Sequence, residues 1–259
     1  GTRQAYQRAW GSDEVFGWFG VPPGYAMIAQ RHMQQYGTTA EQLGAISVAC
    51  RKNGANNPNA QLRKPITLED YMASDLIVDP LRRDDCCLVS DGGAAVVLMS
   101  ASKAKELGVE QPVPILGYGQ GQTSLEVALR PDLTTTAAKI SAQTAFAAAG
   151  IKPSDIDVAQ IYDCFTITAL MTLEDYGFCE AGQGGKFVED GGIELGGNLP
   201  MNTSGGLLSE TGMPGMQMVI EGVRQMRGTS YNQVDKAKFC AISNQGGVMH
   251  THSTLILGQ

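Results

Sequence analysis

At 259 residues, with 43% apolar side chains and only 17% charged ones, the chain has enough hydrocarbon for one large core or two smaller ones. Its formal net charge of -7 argues against nucleic acid or an anionic membrane surface as the main partner, and no apolar run approaches the roughly 20 residues of a membrane span. Six cysteines without C-x-x-C spacing and three histidines offer no metal-ligating set and suit reduced thiols in a cytoplasmic protein, and residues 1–10 carry no hydrophobic core of a secretion signal.

Residues 1–23 are rich in glycine and aromatics (Trp10, Phe16, Trp18, Phe19) and show no clean period, so they read as a segment that packs on something else. Helical spacing of Ala26, Met27, Ile28 and Met33 predicts a helix over 24–36, ended by Gly37. Thr38 or Thr39, with Glu41 or Gln42 reaching back, forms a capping box that opens a second helix to about Arg51. An Asn/Pro/Gly-rich loop occupies 53–65, and Thr67-Leu68-Glu69-Asp70 starts a short helix. No strand is expected among these elements, so residues 1–83 read as a helical excursion. After the turn Ser90-Asp91-Gly92-Gly93, the continuous apolar run 94–99 has strand length. A short strand is expected over 112–117 and an Ala-rich helix over 134–149, closed by Gly150.

The stretch 157–165 organises the remainder of the chain. Val158 and Ile161 lie in a short apolar run that reads as a buried strand, and a helix over 166–177 comes at once, so Tyr162-Asp163-Cys164-Phe165 falls where strand meets helix. Beyond it come a Gly-rich loop over 180–199 and the stretch Asn202-Thr203-Ser204-Gly205-Gly206. A helix then runs from Met213-Pro214-Gly215 to about Arg227, with Pro214 suited to its first turn. Strands at 238–243 and 253–257 are joined by 244–252. Strands alternating with helices indicate an α/β layered fold.

Several stretches together resemble the thiolase superfamily, in its sterol carrier protein x, or lipid-transfer-protein, branch. They are Tyr36-Gly37-Thr38-Thr39, Arg63-Lys64-Pro65-Ile66-Thr67-Leu68-Glu69, Asp79-Pro80-Leu81, the 86–98 turn and run, Tyr162-Asp163-Cys164-Phe165, Gly182-Gln183-Gly184, and 202–208 with Ser209 next. The resemblance implies a thiolase-like layered αβαβα core. Residues 1–83 would be the mostly helical loop domain that covers an acyl-CoA substrate. Residues 84–109 would be the last strand and helix of the N-terminal core half, and 110–259 the C-terminal core domain. It also implies a further N-terminal core half carrying the nucleophilic Cys, which has no counterpart in this sequence. The family's Gly-His-Pro motif is replaced by Glu210-Thr211-Gly212-Met213-Pro214-Gly215. Its second Cys gives way to Ser243-Asn244-Gln245 before Gly246-Gly247, and Tyr162 stands where the family has Asn or His.

Thiolysis needs a thiolate and a second group to activate the attacking thiol. Cys50, Cys86, Cys87, Cys164, Cys179 and Cys240 match no nucleophile motif and read as packing residues. Retro-aldol cleavage needs a base for a β-hydroxyl and donors for the enolate on the thioester oxygen. Tyr162 fits that demand, and steroid side-chain aldolases of the thiolase fold resemble this chain in carrying Tyr there. They also carry a Tyr in the region of Gly212, which this chain lacks. His250 and His252, two residues apart on an expected strand, would face the same way, one of them as acid/base or enolate donor. The alternative is that both are held by backbone groups.

Asn202, Gly205, Gly206, Gly212, Gly246 and Gly247 are the expected substrate-binding backbone, with the helix start after Gly212 aimed at the thioester oxygen. Arg51, Lys52, Arg63 and Lys64 are candidates for the CoA phosphates. His32 reads as a surface or packing residue and Glu210 as a solvated carboxylate. No tightly bound cofactor is expected, coenzyme A entering as part of the substrate. The resemblance further implies a homodimer and a small OB-fold, zinc-ribbon partner. Three readings are open: an aldol-type enzyme acting on acyl-CoA, a non-catalytic acyl-CoA or lipid-binding subunit that scaffolds a partner, and a thiolase whose nucleophile lies elsewhere.

Overall fold

The computed structural model describes residues 17, 18, 20–124, 126–213 and 215–259. Trp10, Phe16, Phe19 and Pro214, each named above from the sequence, lie outside the described residues. Helix α1 (Pro22–Tyr36) ends at Gly37, whose left-handed backbone lets its N–H reach the Met33 carbonyl. Thr39 caps α2 (Ala40–Asn56) in a box closed by Gln42, and the helix runs one turn beyond its expected end. Thr67 and Asp70 form a second box on α3 (Leu68–Met72). The excursion is not purely helical. β1 (Leu76–Val78) and β2 (Leu81–Arg82) pair antiparallel, because an apolar β-forming triplet meets a turn at Asp79-Pro80.

The apolar run 94–99 forms no strand. Val97 and Leu98 are 82% and 73% exposed, and the run pairs with no other strand among the described residues. A strand persists only where its N–H and C=O groups find a ladder, and hydrophobicity alone does not supply one. Earlier in the same segment, Cys86 makes an isolated antiparallel bridge to Phe165, and the Cys87 N–H donates to the Cys164 carbonyl (2.9 Å). Helix α4 (Ala101–Glu106) comes next, capped by Ser100.

Strand β3 (Ile115–Gln122) begins and ends later than its sequence pattern suggests, and α5 (Ala138–Ala149) closes at Gly150. Then come β4 (Val158–Gln160), α6 (Thr166–Tyr176), α7 (Gly184–Glu189) inside the Gly-rich loop, α8 (Gly206–Ser209), α9 (Met216–Arg227), β5 (Phe239–Gly246) and β6 (Thr251–Gly258). The four-stranded sheet has the order β3-β6-β5-β4, with β4 and β5 parallel and the other neighbours antiparallel.

Register assigns the two faces. Gly117, Gly119 and Gly121 pair with Ile256, Thr254 and His252, which pair in turn with Ala241, Ser243 and Gln245. This face lies under α5 and α6: the Ser141 hydroxyl meets Thr254 (2.7 Å), and Tyr176 meets both Thr254 and His252. Cys240 and Ile242 point the other way, where Gly222 of α9 abuts them. Helices on both faces of a mixed sheet make the α/β layered class that the alternation of elements indicates. Helix α6 is buried nearly all round, with Ile167, Ala169, Leu170, Met171 and Leu173 all sealed from solvent, as an inner layer requires. Among the described residues no helix is long and apolar enough to cross a membrane.

Candidate active site

Chemistry-bearing residues gather where β4 and β5 end. The Asn202 carboxamide accepts from the Ile161 N–H (2.7 Å) and donates to the Ile161 carbonyl (2.8 Å), so it extends the ladder of β4 by one residue. Asn202 is fully buried in a left-handed backbone conformation (φ 49°), and Asn53 of α2 donates to its carbonyl. One residue on, the Tyr162 N–H donates to the Ser243 hydroxyl (2.8 Å) and its carbonyl accepts from Thr168 (3.0 Å). The backbone of Tyr162 is thus fixed on both sides, and its ring is half-buried.

Asp163 turns inward. Its carboxylate takes the N–H groups of Leu207 (2.8 Å) and Leu208 (3.4 Å) at the start of α8, and the Cys50 thiol donates to it at 3.5 Å. A side chain on Gly206 would meet this carboxylate at 2.2 Å, which accounts for the glycine at 206. Burial pushes the Asp163 carboxyl up to about 6, against the pull of the two N–H groups. Glu210 is buried as well, accepting from Ser204 (2.5 Å) and Asn57 (3.2 Å), so the solvated carboxylate expected there is corrected: it is a partner within the core.

The turn after β5 is the other half of the site. His250 lies in this turn rather than on the strand, so the shared facing expected for the two imidazoles does not apply. His252 sits on β6 under α6, 2% exposed, with Nε2 held by the Tyr176 hydroxyl at 3.0 Å. Burial lowers its pKa to about 3, and burial with the Arg130 charge lowers that of His250 to about 4, so both imidazoles are neutral at neutral pH. The Nδ1 atoms of His250 and His252 are both buried and have no hydrogen-bond partner.

In the loop ahead of α9, the Gly212 N–H donates to the Ser90 hydroxyl (2.9 Å), and a side chain at 212 would strike the Leu88 carbonyl at 1.6 Å. Gly215 caps α9 beside Asn244, so that helix begins at the same end of the sheet as Tyr162. Of the four cations considered for phosphate, Arg51 pairs with Asp84 and Lys52 with Glu194, while Arg63 and Lys64 are exposed. His32 is wholly buried between Thr38 and Glu174.

All six thiols are shifted away from reactivity. Burial raises Cys86, Cys164 and Cys179 to about 12 and Cys87 to about 11, and moves Cys50 and Cys240 upward too. Among the described residues no group of three or more His, Cys, Asp or Glu could hold a metal ion.

Two residues that sequence reasoning does not single out as site groups are here. Tyr25 of α1 stacks on Phe165 with ring centroids 4.4 Å apart, and Gln245 reaches both Tyr25 and the Cys164 sulfur. Nothing in the helical spacing of α1 distinguishes Tyr25 from an ordinary core residue.

The thiolase C-terminal domain-like family matches residues 119–259, more than half of the chain. The chain belongs to the thiolase superfamily. It is 43% identical over 239 residues to a 17-hydroxy-3-oxo-4-pregnene-20-carboxyl-CoA lyase of Mycobacterium tuberculosis, covering 90% of this chain and 61% of the relative. It is 39% identical over 243 residues to an acetyl-CoA acetyltransferase of Methanothermobacter thermautotrophicus, covering 92% and 63%. Its structure matches that of an Ltp2-ChsH2(DUF35) aldolase with a TM-score of 0.93 and 39% identity, over 98% of this chain and 67% of the other. The chain therefore spans roughly three-fifths of the length of these curated relatives.

Proposed function

We propose that the protein containing this chain cleaves a carbon–carbon bond in a β-hydroxyacyl-CoA ester by a retro-aldol reaction. The observation that carries the reading is the contrast at the sheet end: the thiols of this chain are driven toward their protonated, unreactive form, while Tyr162 stands half-buried after β4 with its backbone held by Ser243 and Thr168. Tyr162 as phenolate takes the proton of the β-hydroxyl, and the Cα–Cβ bond breaks. A ketone or aldehyde forms at Cβ, the electron pair passes to the thioester enolate, and the same proton returns to Cα to give a shorter acyl-CoA. His250, neutral and carried by the turn itself with an unpartnered Nδ1, is suited to donate a hydrogen bond to the enolate oxygen, as is the helix start at Gly215. His252, engaged by Tyr176, supports the layer behind and takes no reacting role. Arg63 and Lys64 are left for the CoA phosphates.

Similarity to a steroid-CoA lyase supports a bulky, tertiary β-hydroxyl substrate. Similarity to the Ltp2-ChsH2(DUF35) aldolase, which has a second component, supports assembly with a partner protein. The test is to incubate the complete protein, with any partner that co-purifies, with β-hydroxyacyl- and β-ketoacyl-CoA esters. Ketone or aldehyde release that falls at least about 100-fold in Tyr162→Phe is the expected outcome. Acetyl-CoA formation from a β-ketoacyl-CoA and CoA would favour the acetyltransferase reading instead, to which the archaeal relative lends support. Binding of CoA esters without turnover would make this a scaffold.

A further inference from the structure

The Gly246–Gly247 turn has little stiffness of its own, since two adjacent glycines leave the backbone free to sample many conformations. Three side chains from outside the turn take hold of it. The Tyr25 hydroxyl donates to the Gly247 carbonyl (2.7 Å), Arg130 donates to the Val248 carbonyl (3.2 Å), and the Gln245 carboxamide oxygen accepts the Met249 N–H (2.9 Å). Gln245 completes the link by donating from Nε2 to the Tyr25 oxygen (2.9 Å) and to the Cys164 sulfur (3.0 Å). Tyr25 is 2% exposed and stacks on Phe165, in the loop that bears Tyr162. One phenol, carried on a helix of the covering segment, therefore ties the turn to the very loop that bears Tyr162. A Phe would satisfy the same packing, so the hydroxyl serves the bonds to Gly247 and Gln245 and its contact with the Cys164 sulfur.

We propose that Tyr25 and Gln245 are positioning residues that hold the Gly246–Gly247 turn in register with Tyr162, an inference that rests on the retro-aldol reading above. Reacting groups must be held to within a fraction of an ångström, and a shift of about 1 Å costs on the order of 100-fold in rate. The complete enzyme carrying Tyr25→Phe is therefore expected to remain folded by circular dichroism. It should lose roughly 10- to 100-fold in kcat with KM for the CoA ester changed less than about threefold. Hydrogen exchange should quicken over 246–250 and stay unchanged over α6.

Wild-type kcat in Tyr25→Phe, or a raised KM with kcat intact, overturns the proposal. Should that variant not fold, Gln245→Met, similar in volume and lacking the carboxamide, carries the same expectation, and wild-type kcat there overturns it equally. Tyr231→Phe, on a ring 53% exposed and far from this cluster in role, is the matched control. Loss of turnover in Tyr162→Phe with wild-type kcat in Tyr25→Phe removes the positioning inference alone. Full turnover in Tyr162→Phe removes the retro-aldol reading itself.

Discussion

A carboxylate cut off from water must be answered by donors, and Asp163 has found two N–H groups and a thiol. They do not fully offset burial, since its carboxyl titrates near 6 in the folded protein against about 3.9 in an unfolded chain. The folded state therefore holds this proton more tightly than the unfolded one. Its contribution to stability is complete below about pH 4 and is lost as pH rises through 6, a change of roughly 3 kcal/mol. Asp163→Asn, which keeps a carbonyl for the Leu207 N–H, should remove that dependence. Urea unfolding at pH 4 and pH 7 should show the wild type losing about 2–3 kcal/mol relative to the variant as pH rises. Identical pH profiles for the two proteins would mean that the Asp163 carboxyl is not desolvated as the structure has it.

At the scale of elements, the contact between β3 and α5 is set by absence of side chains. A Cβ on Gly119 would stand 2.0 Å from the Ser141 carbonyl oxygen and 2.9 Å from the Ala145 nitrogen, both of them backbone atoms. Gly119→Ala should therefore destabilise the protein by about 3 kcal/mol or more, read as a lower urea midpoint at unchanged slope. A midpoint equal to wild type would show that the helix rides higher on the sheet. This contact also marks what the sequence discloses. Ala-rich composition announces α5 and Gly150 its end, yet alternating glycines in β3 depress the strand signal and hide its C-terminal half. The strand and helix around Tyr162 are readable because the apolar run, the polar break and Gly177 all agree. Residues 94–99 mislead because apolarity reports a tendency to be covered and says nothing of the partner strand. Spacing puts His250 and His252 on one face because it cannot locate a strand end, and one residue of turn breaks the alternation. Tyr25 is invisible to such reading since Gly247 and Gln245, which its hydroxyl meets, lie more than 200 positions away.

Across the whole molecule, the covering helices join the sheet through buried carboxamides. Asn53 of α2 and Asn57 just past its end donate to carbonyls at 201, 202 and 204, while Asn232 donates to Asn53 and Thr203. Such joints are strongly directional, so α1 and α2 sit on the core in one register, and Tyr25 arrives at the Gly247 turn by the same constraint. Acid should undo this arrangement from the sheet outward. His250 and His252 are held neutral in the folded chain, with values near 4 and 3, whereas an unfolded imidazole titrates near 6.5. Their pKa values are lowered on folding, so their contribution is complete above about pH 6.5 and is lost as pH falls toward 4 and 3. This is opposite in sign to the effect at Asp163. At pH 5 each imidazole costs about 2 kcal/mol relative to neutral pH, because the unfolded chain takes up a proton that the folded one refuses. Between pH 7 and 5 the two histidines together outweigh Asp163, while burial raises Asp85, Asp175 and Glu221 as well, and these carboxyls act in the same direction as Asp163. His252→Asn, which retains a polar group for Tyr176, should recover about 2 kcal/mol of that acid loss even where its stability at pH 7 is lower. The comparison is the difference between pH 7 and pH 5 in urea unfolding, variant against wild type. An equal acid loss in both would mean that His252 is protonated inside the fold, with Tyr176 and Thr254 unable to keep its surroundings dry.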